Sequence, residues 1–147
     1  MNSKENNDTQ DSLYITENFK WNELIFSSTA SRYGIKNIPN ENQSANLRRL
    51  CIEILQPIRT KYGEPIRITS GFRCKALNSA VGGVSNSQHL NGEAADIVCG
   101  DNKRLWNLIV SMIKENQISV GQLINEKNLT WIHISLPDAR HCNQIIN

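Results

Sequence analysis

The sequence predicts an α+β domain, in which helices pack on a small, largely antiparallel sheet. Three observations predict it. Apolar residues recur at helical spacing in several stretches. Short alternating or apolar runs of strand length lie between and after them. The resulting order is helices, strand, helix, strand, helix, hairpin, with no internal repeat, and this suits helices layered on a modest sheet. A chain of 147 residues is enough for one domain with one hydrophobic core.

Residues 1–13 are polar and rich in Asn, a composition that stays disordered. The folded domain is expected over 14–140, and a polar tail over 141–147. In 18–33, Phe19, Trp21, Leu24, Ile25 and Ala30 predict a short amphipathic helix that stops near Gly34. In 45–62, Leu47, Leu50, Cys51, Ile54, Leu55 and Ile58 predict a long core helix. Pro57 lies inside that pattern and should kink it or mark a boundary, and Gly63 and Pro65 end it. Residues 66–70 alternate, with Ile66 and Ile68 set against Arg67 and Thr69, as in a short strand. Residues 73–80 are helix-compatible, and 81–88, with Gly82 and Gly83, form a loop. The apolar run 94–99 reads as a buried strand. Leu105, Trp106, Leu108, Ile109, Met112 and Ile113 predict a helix over 103–116. Residues 120–125 and 131–136 read as two strands of a hairpin.

Charged residues are 20% and apolar ones 39%, the balance of a globular domain in water. The net charge of +2 is too small to argue for nucleic acid, though it is compatible with an anionic bacterial wall. No stretch approaches the ~20 apolar residues a membrane helix requires, so no membrane insertion is expected. Residues 1–10 lack an apolar segment of signal-peptide type, so synthesis in the cytoplasm and action only after release are expected. Cys51, Cys74, Cys99 and Cys142 form no C-x-x-C pair, which argues against a zinc knuckle and for reduced thiols.

The chemistry concentrates in two places. In Ser87-Gln88-His89-Leu90-Asn91-Gly92-Glu93-Ala94-Ala95-Asp96, a histidine ends a glycine-containing loop and a carboxylate falls in an apolar strand. A carboxylate there requires a charged partner, and a metal ion is one. In Thr130-Trp131-Ile132-His133-Ile134-Ser135, His133 shares a strand face with Trp131 and Ser135. Two imidazoles and a carboxylate make a three-ligand zinc set with a fourth position for water. Asp96 can equally cap a turn or pair with Arg67 or Arg73, and the residues alone leave these readings open. His141 and Cys142 read as a surface pair, and Glu93 as a solvated loop carboxylate.

The stretch S-x-H-x-x-G-x-A-x-D with W-x-H downstream resembles the signature of the zinc D-alanyl-D-alanine carboxypeptidases, a family that includes D,D-dipeptidases and phage L-alanyl-D-glutamate endolysins. Ile68-Thr69-Ser70-Gly71-Phe72-Arg73 is similar to the family's S-G-[YF]-R segment. Leu55-Gln56-Pro57-Ile58-Arg59 and Gln122-Leu123-Ile124 look like its small phage-type branch. The resemblance implies a Hedgehog/DD-peptidase-like fold and zinc held by His89, Asp96 and His133. It implies that Arg73 contacts the substrate carbonyl or carboxylate and stabilises the oxyanion, and that Ser87 hydrogen-bonds substrate. The implied partner is a peptidoglycan stem peptide, met by a monomer, and an endolysin awaiting release is the form that fits. One departure stands out. Many members carry an acidic general base three positions before the second histidine, and here that position is Thr130. The nearest acid is Glu126. If Glu126 pairs with Trp131 across the hairpin, it faces the same side as His133 and can serve as base; otherwise it is an ordinary turn residue. A binding module that keeps the metal and has lost catalysis is the alternative.

Overall fold

The computed structural model describes residues 13–147, so the tail expected over 1–13 lies outside the described residues but for Leu13. The elements are β1 (Tyr14–Thr16), β2 (Phe19–Lys20), α1 (Trp21–Ile25), α2 (Ser28–Tyr33), α3 (Glu41–Leu50), a π-helical turn (Cys51–Leu55) and α4 (Gln56–Tyr62). They continue with β3 (Arg67–Ser70), α5 (Lys75–Ala80), a 3-10 turn (Gln88–Asn91), β4 (Ala94–Val98), α6 (Asn102–Lys114), β5 (Gln122–Glu126), β6 (Trp131–Ser135) and β7 (Gln144–Ile146). The main sheet has the order β3-β4-β6-β5-β7 and is antiparallel except for β5 against β7. The α+β expectation holds.

The core lies on one face of this sheet. Ala95, Ile97, Leu123, Ile132 and Ile134 point inward and are fully buried. They meet Leu47, Leu50, Ile54 and Leu55 from the long helical segment and Leu105 and Ile109 from α6. Each leucine and isoleucine among them contributes ~1.5–3 kcal/mol by its burial. Because strand side chains alternate, the residues between these point to the opposite face. Asp96 and His133 are two of them.

Four expectations require correction. The helix expected over 18–33 is two helices, preceded by the short strand β2. Phe26 is extended and Ser27 caps α2, its Oγ accepting from the Ala30 N–H at 3.1 Å, so the backbone turns where periodicity alone continues. The long helix starts at Glu41, where Asn40 and Gln43 form a polar capping box that an apolar pattern does not show. Pro57 marks a boundary in this segment, as expected: it stands in the first turn of α4, just after the π-turn in which the Gln56 N–H donates to the Cys51 carbonyl. The helix expected from residue 73 starts at Lys75, and the polar tail expected over 141–147 contains β7. Just ahead of β7, Asn143 ties the chain to Val120 just ahead of β5: the Asn143 N–H donates to the Val120 carbonyl at 2.6 Å, and Asn143 Oδ1 accepts from the Val120 N–H at 2.8 Å. A strand held by polar side chains resembles a tail in sequence.

Candidate metal centre

Asp96 stands in the middle of β4, opposite Ser70 of β3 and opposite His133 of β6. Directly opposed residues of an antiparallel pair project to the same face, so the register itself brings imidazole and carboxylate together. His133 Nδ1 lies 3.0 Å from Asp96 Oδ1. His89 arrives from the 3-10 turn, with Nε2 3.3 Å from the same oxygen. The turn is held against α3 by Gln43 Nε2, which donates to the Leu90 carbonyl, and by Asn46 Nδ2, which donates to the Asn91 carbonyl.

His89 is 3% exposed, and its Nδ1 lies 2.7 Å from the Gly71 carbonyl. A carbonyl only accepts, so Nδ1 carries a proton toward it, and Nε2 is the nitrogen that faces Asp96. Gly71 is required at that place, because a Cβ there would collide with the Leu24 carbonyl oxygen. The neighbouring Phe72 N–H donates to that same oxygen at 2.7 Å, which pins the segment. The motif reading included Gly71 but not its role, since which carbonyl meets His89 depends on how α1 packs.

The ligand atoms of His89, Asp96 and His133 all lie within 4.8 Å of one another. Burial pushes the Asp96 carboxyl up, but hydrogen bonds from His133 and His89, with their charge, outweigh it and hold it well below the usual carboxylate range. Neither Arg67 nor Arg73 forms an ion pair with Asp96 among the described residues, and its partners are the two imidazoles. Two nitrogens and one carboxylate oxygen, converging from three elements, fit a zinc ion with one position left for water or substrate.

Arg73 reaches the same region on an extended segment ahead of α5. Its N–H donates to the His89 carbonyl at 3.1 Å, and its Nη2 donates to Ser87 Oγ at 3.2 Å. Burial pushes the guanidinium down and the charge of Asp96 opposes it. Its Nε is buried and has no hydrogen-bond partner among the described residues. Ser87 Oγ also accepts from the His89 N–H at 3.2 Å, so one hydroxyl fixes both the turn and the guanidinium.

Residues 17–135 match the model of a family described as peptidase M15. The chain belongs to the peptidase M15 family. A 47-residue stretch, 31% of this chain, is 49% identical to the zinc D-Ala-D-Ala carboxypeptidase of Streptomyces albus G. That stretch covers 18% of the relative, so the chain spans only a small part of that protein's length. All of the residues just described fall within the M15 match.

Within this M15 site, Glu126 pairs with Trp131 and Ile124 with His133. Glu126 therefore shares the open face with Trp131 and His133, two positions along the strand. Thr130 sits in the turn, its Oγ1 donating to the Lys127 carbonyl at 2.6 Å. His141 pairs with Asp138 at 3.2 Å rather than with Cys142, and lies apart from the three ligands. Glu93 is half-buried rather than solvated, and burial, then the charge of Asp138, pushes its carboxyl up. Cys51, Cys74, Cys99 and Cys142 form no disulfide. Among the described residues, no helix is long and apolar enough to cross a membrane.

Proposed function

We propose that this M15 chain is a zinc metallopeptidase that hydrolyses a peptide bond in the stem peptides of peptidoglycan. The observation that carries the reading is the convergence of His89, Asp96 and His133, with their ligand atoms within 4.8 Å, on the open face of the sheet. When bound there, zinc supplies Lewis-acid polarisation of the scissile carbonyl and lowers the pKa of a water. Arg73, whose Nη2 reaches Ser87 beside the turn that carries His89, offers its guanidinium to the developing oxyanion or to a terminal carboxylate. Ser87 holds that guanidinium in place and can turn its own hydroxyl proton toward substrate. Glu126, on the face of His133, takes the proton at its carboxylate and passes it to the leaving amine.

The similarity to a zinc D-Ala-D-Ala carboxypeptidase supports the D-alanyl terminus as the substrate, and an endolysin cutting within the stem is the other form of the same chemistry. Mass analysis of fragments released from purified peptidoglycan by the zinc-loaded protein decides between them. Free D-alanine marks a carboxypeptidase, and larger peptides mark an endopeptidase. No fragment at all sinks the enzyme reading. A second reading, a wall-binding module, is favoured by Thr130, whose hydroxyl is tied to the Lys127 carbonyl and cannot act as base. Co-sedimentation with the wall and no released fragment is the outcome expected of it.

A further inference from the structure

Asn37 stands in the loop between α2 and α3, yet its side chain is only 8% exposed. Loops ordinarily lie on the surface, and a polar side chain buried in one needs partners. Asn37 has three, each at 2.8 Å: its Nδ2 donates to the Ile25 and Phe72 carbonyls, and its Oδ1 accepts from the Cys74 N–H. Both amide hydrogens and the oxygen are engaged, so the side chain has one orientation; turned over, its oxygen would face two carbonyls. Two of the three bonds lie on either side of Arg73. Residues 71–74 belong to no helix or strand, so no backbone ladder fixes them. Instead the Phe72 N–H donates to the Leu24 carbonyl and the Arg73 N–H to the His89 carbonyl. Asn37 takes the Phe72 carbonyl and the Cys74 N–H, spanning Arg73 much as a neighbouring strand would. At the other end of that side chain, Nη2 donates to Ser87 Oγ and Nε is buried.

We propose that Asn37 is the positioning residue for Arg73: it fixes the backbone from which the guanidinium reaches the turn of the metal centre, and touches neither substrate nor metal itself. The proposal rests on the peptidase reading, in which that guanidinium meets the oxyanion or a terminal carboxylate. A donor to developing charge helps only when it is already aimed, and a misplacement of about 1 Å can cost ~100-fold in rate. Rotation of the peptide planes beside Arg73 swings the base of a long side chain and moves its tip further. Asn37 blocks that rotation on both sides. His89 has supports of its own, from Gln43 and Asn46 beneath its turn and from the Gly71 carbonyl. Loss of Asn37 therefore bears on Arg73 more than on the metal ligands.

The test compares zinc-loaded wild type, Asn37→Ala, Arg73→Ala and the double variant in the initial rate of fragment release from purified peptidoglycan at limiting substrate. Asn37→Ala is expected to lower kcat/KM by about 10–100-fold, with zinc affinity, read by a chelating dye, close to that of the wild type. Arg73→Ala should lose at least as much. The double variant should lose no more than Arg73→Ala alone, because Asn37 then has no guanidinium to aim. Asn37→Asp has the same shape and keeps the acceptor for the Cys74 N–H, but sets an oxygen against the two carbonyls; it serves where the alanine variant does not fold. The Arg73 Nε–H resonance gives a readout without turnover. Buried in the wild type, it should exchange slowly with solvent, and about tenfold faster in either Asn37 variant while the core amides keep their protection. A wild-type rate in Arg73→Ala or in a folded Asn37 variant, losses that multiply in the double variant, or an Nε–H as protected as before each overturns the positioning role and leaves the peptidase reading standing. A wild type that releases no fragment overturns the peptidase reading and, with it, the catalytic purpose of Asn37.

Discussion

Asp96 is a carboxylate set between two imidazoles on a strand whose alternate residues are core, and that placement ties stability to the metal. Zinc at about a hundred times its Kd is expected to stabilise the fold by ~2.7 kcal/mol, a rise of roughly 5–10 °C in Tm. Calorimetry with zinc and with a chelator checks this, and Asp96→Asn should abolish the difference. Glu126→Gln should lower kcat by about 10²–10⁴-fold with zinc content unchanged. Metal analysis beside steady-state kinetics separates that outcome from a loss of metal. Cys51 marks a different vulnerability. Burial, helped by the charge of Glu23, pushes its thiol up to about 12 from 9.0. The folded protein therefore keeps the proton longer than the unfolded chain, and this stabilisation is complete below pH 9 and lost as the pH rises toward 12. Urea titrations at pH 8 and about pH 10.5 should differ by ~2 kcal/mol more in the wild type than in Cys51→Ala. At this scale the ligand set was legible in sequence as three residues of the right type within a motif. Which nitrogen of His89 faces Asp96 was not, because the Gly71 carbonyl decides it.

The elements turn those residues into a site. Hairpin alternation separated Ile132 and Ile134 from Trp131, His133 and Ser135, and the observed pairing of Glu126 with Trp131 is the register that places the glutamate on the site face. The turn that achieves it is unusual, with Lys127, Asn128 and Leu129 all at positive φ and the Leu129 N–H donating to Asn125 Oδ1 at 2.6 Å. Sequence pattern failed where polar groups set the boundary: the Ser27 cap, the Asn40 capping box and the Asn143 clamp carry no periodicity. The segment joining β3 to α5 is the most constrained. In Gly71→Ala the new Cβ meets the Leu24 carbonyl oxygen, a close contact expected to cost ~1–3 kcal/mol. The same shift moves the carbonyl that orients His89, so zinc affinity should fall by about 10–100-fold. Competition with a chelating dye reads the affinity, and thermal unfolding reads the stability.

At the scale of the whole molecule, the sheet has two edges with opposite treatment. β7 covers β5, lies outside the span matched by the M15 family and is held by Asn143 and the Gln122–Gln144 side-chain bond at 3.0 Å. Removal of residues 141–147 is expected to cost ~1–3 kcal/mol and to promote association through the bared β5 edge. Thermal unfolding and light scattering check both, and zinc binding should survive because the three ligands lie elsewhere. The sequence by itself determined the fold class and the faces of the central strands, because periodicity is a local property, and its family resemblance named His89, Asp96 and His133 as candidate ligands. Only the tertiary structure decided that, among the described residues, Asp96 bonds to histidines and to no arginine, Arg73 Nε has no hydrogen-bond partner, and β3 is an edge strand while β5 is covered by β7. Those outcomes depend on contacts between segments far apart in the chain, where register and packing, rather than spacing along the sequence, set which polar groups meet.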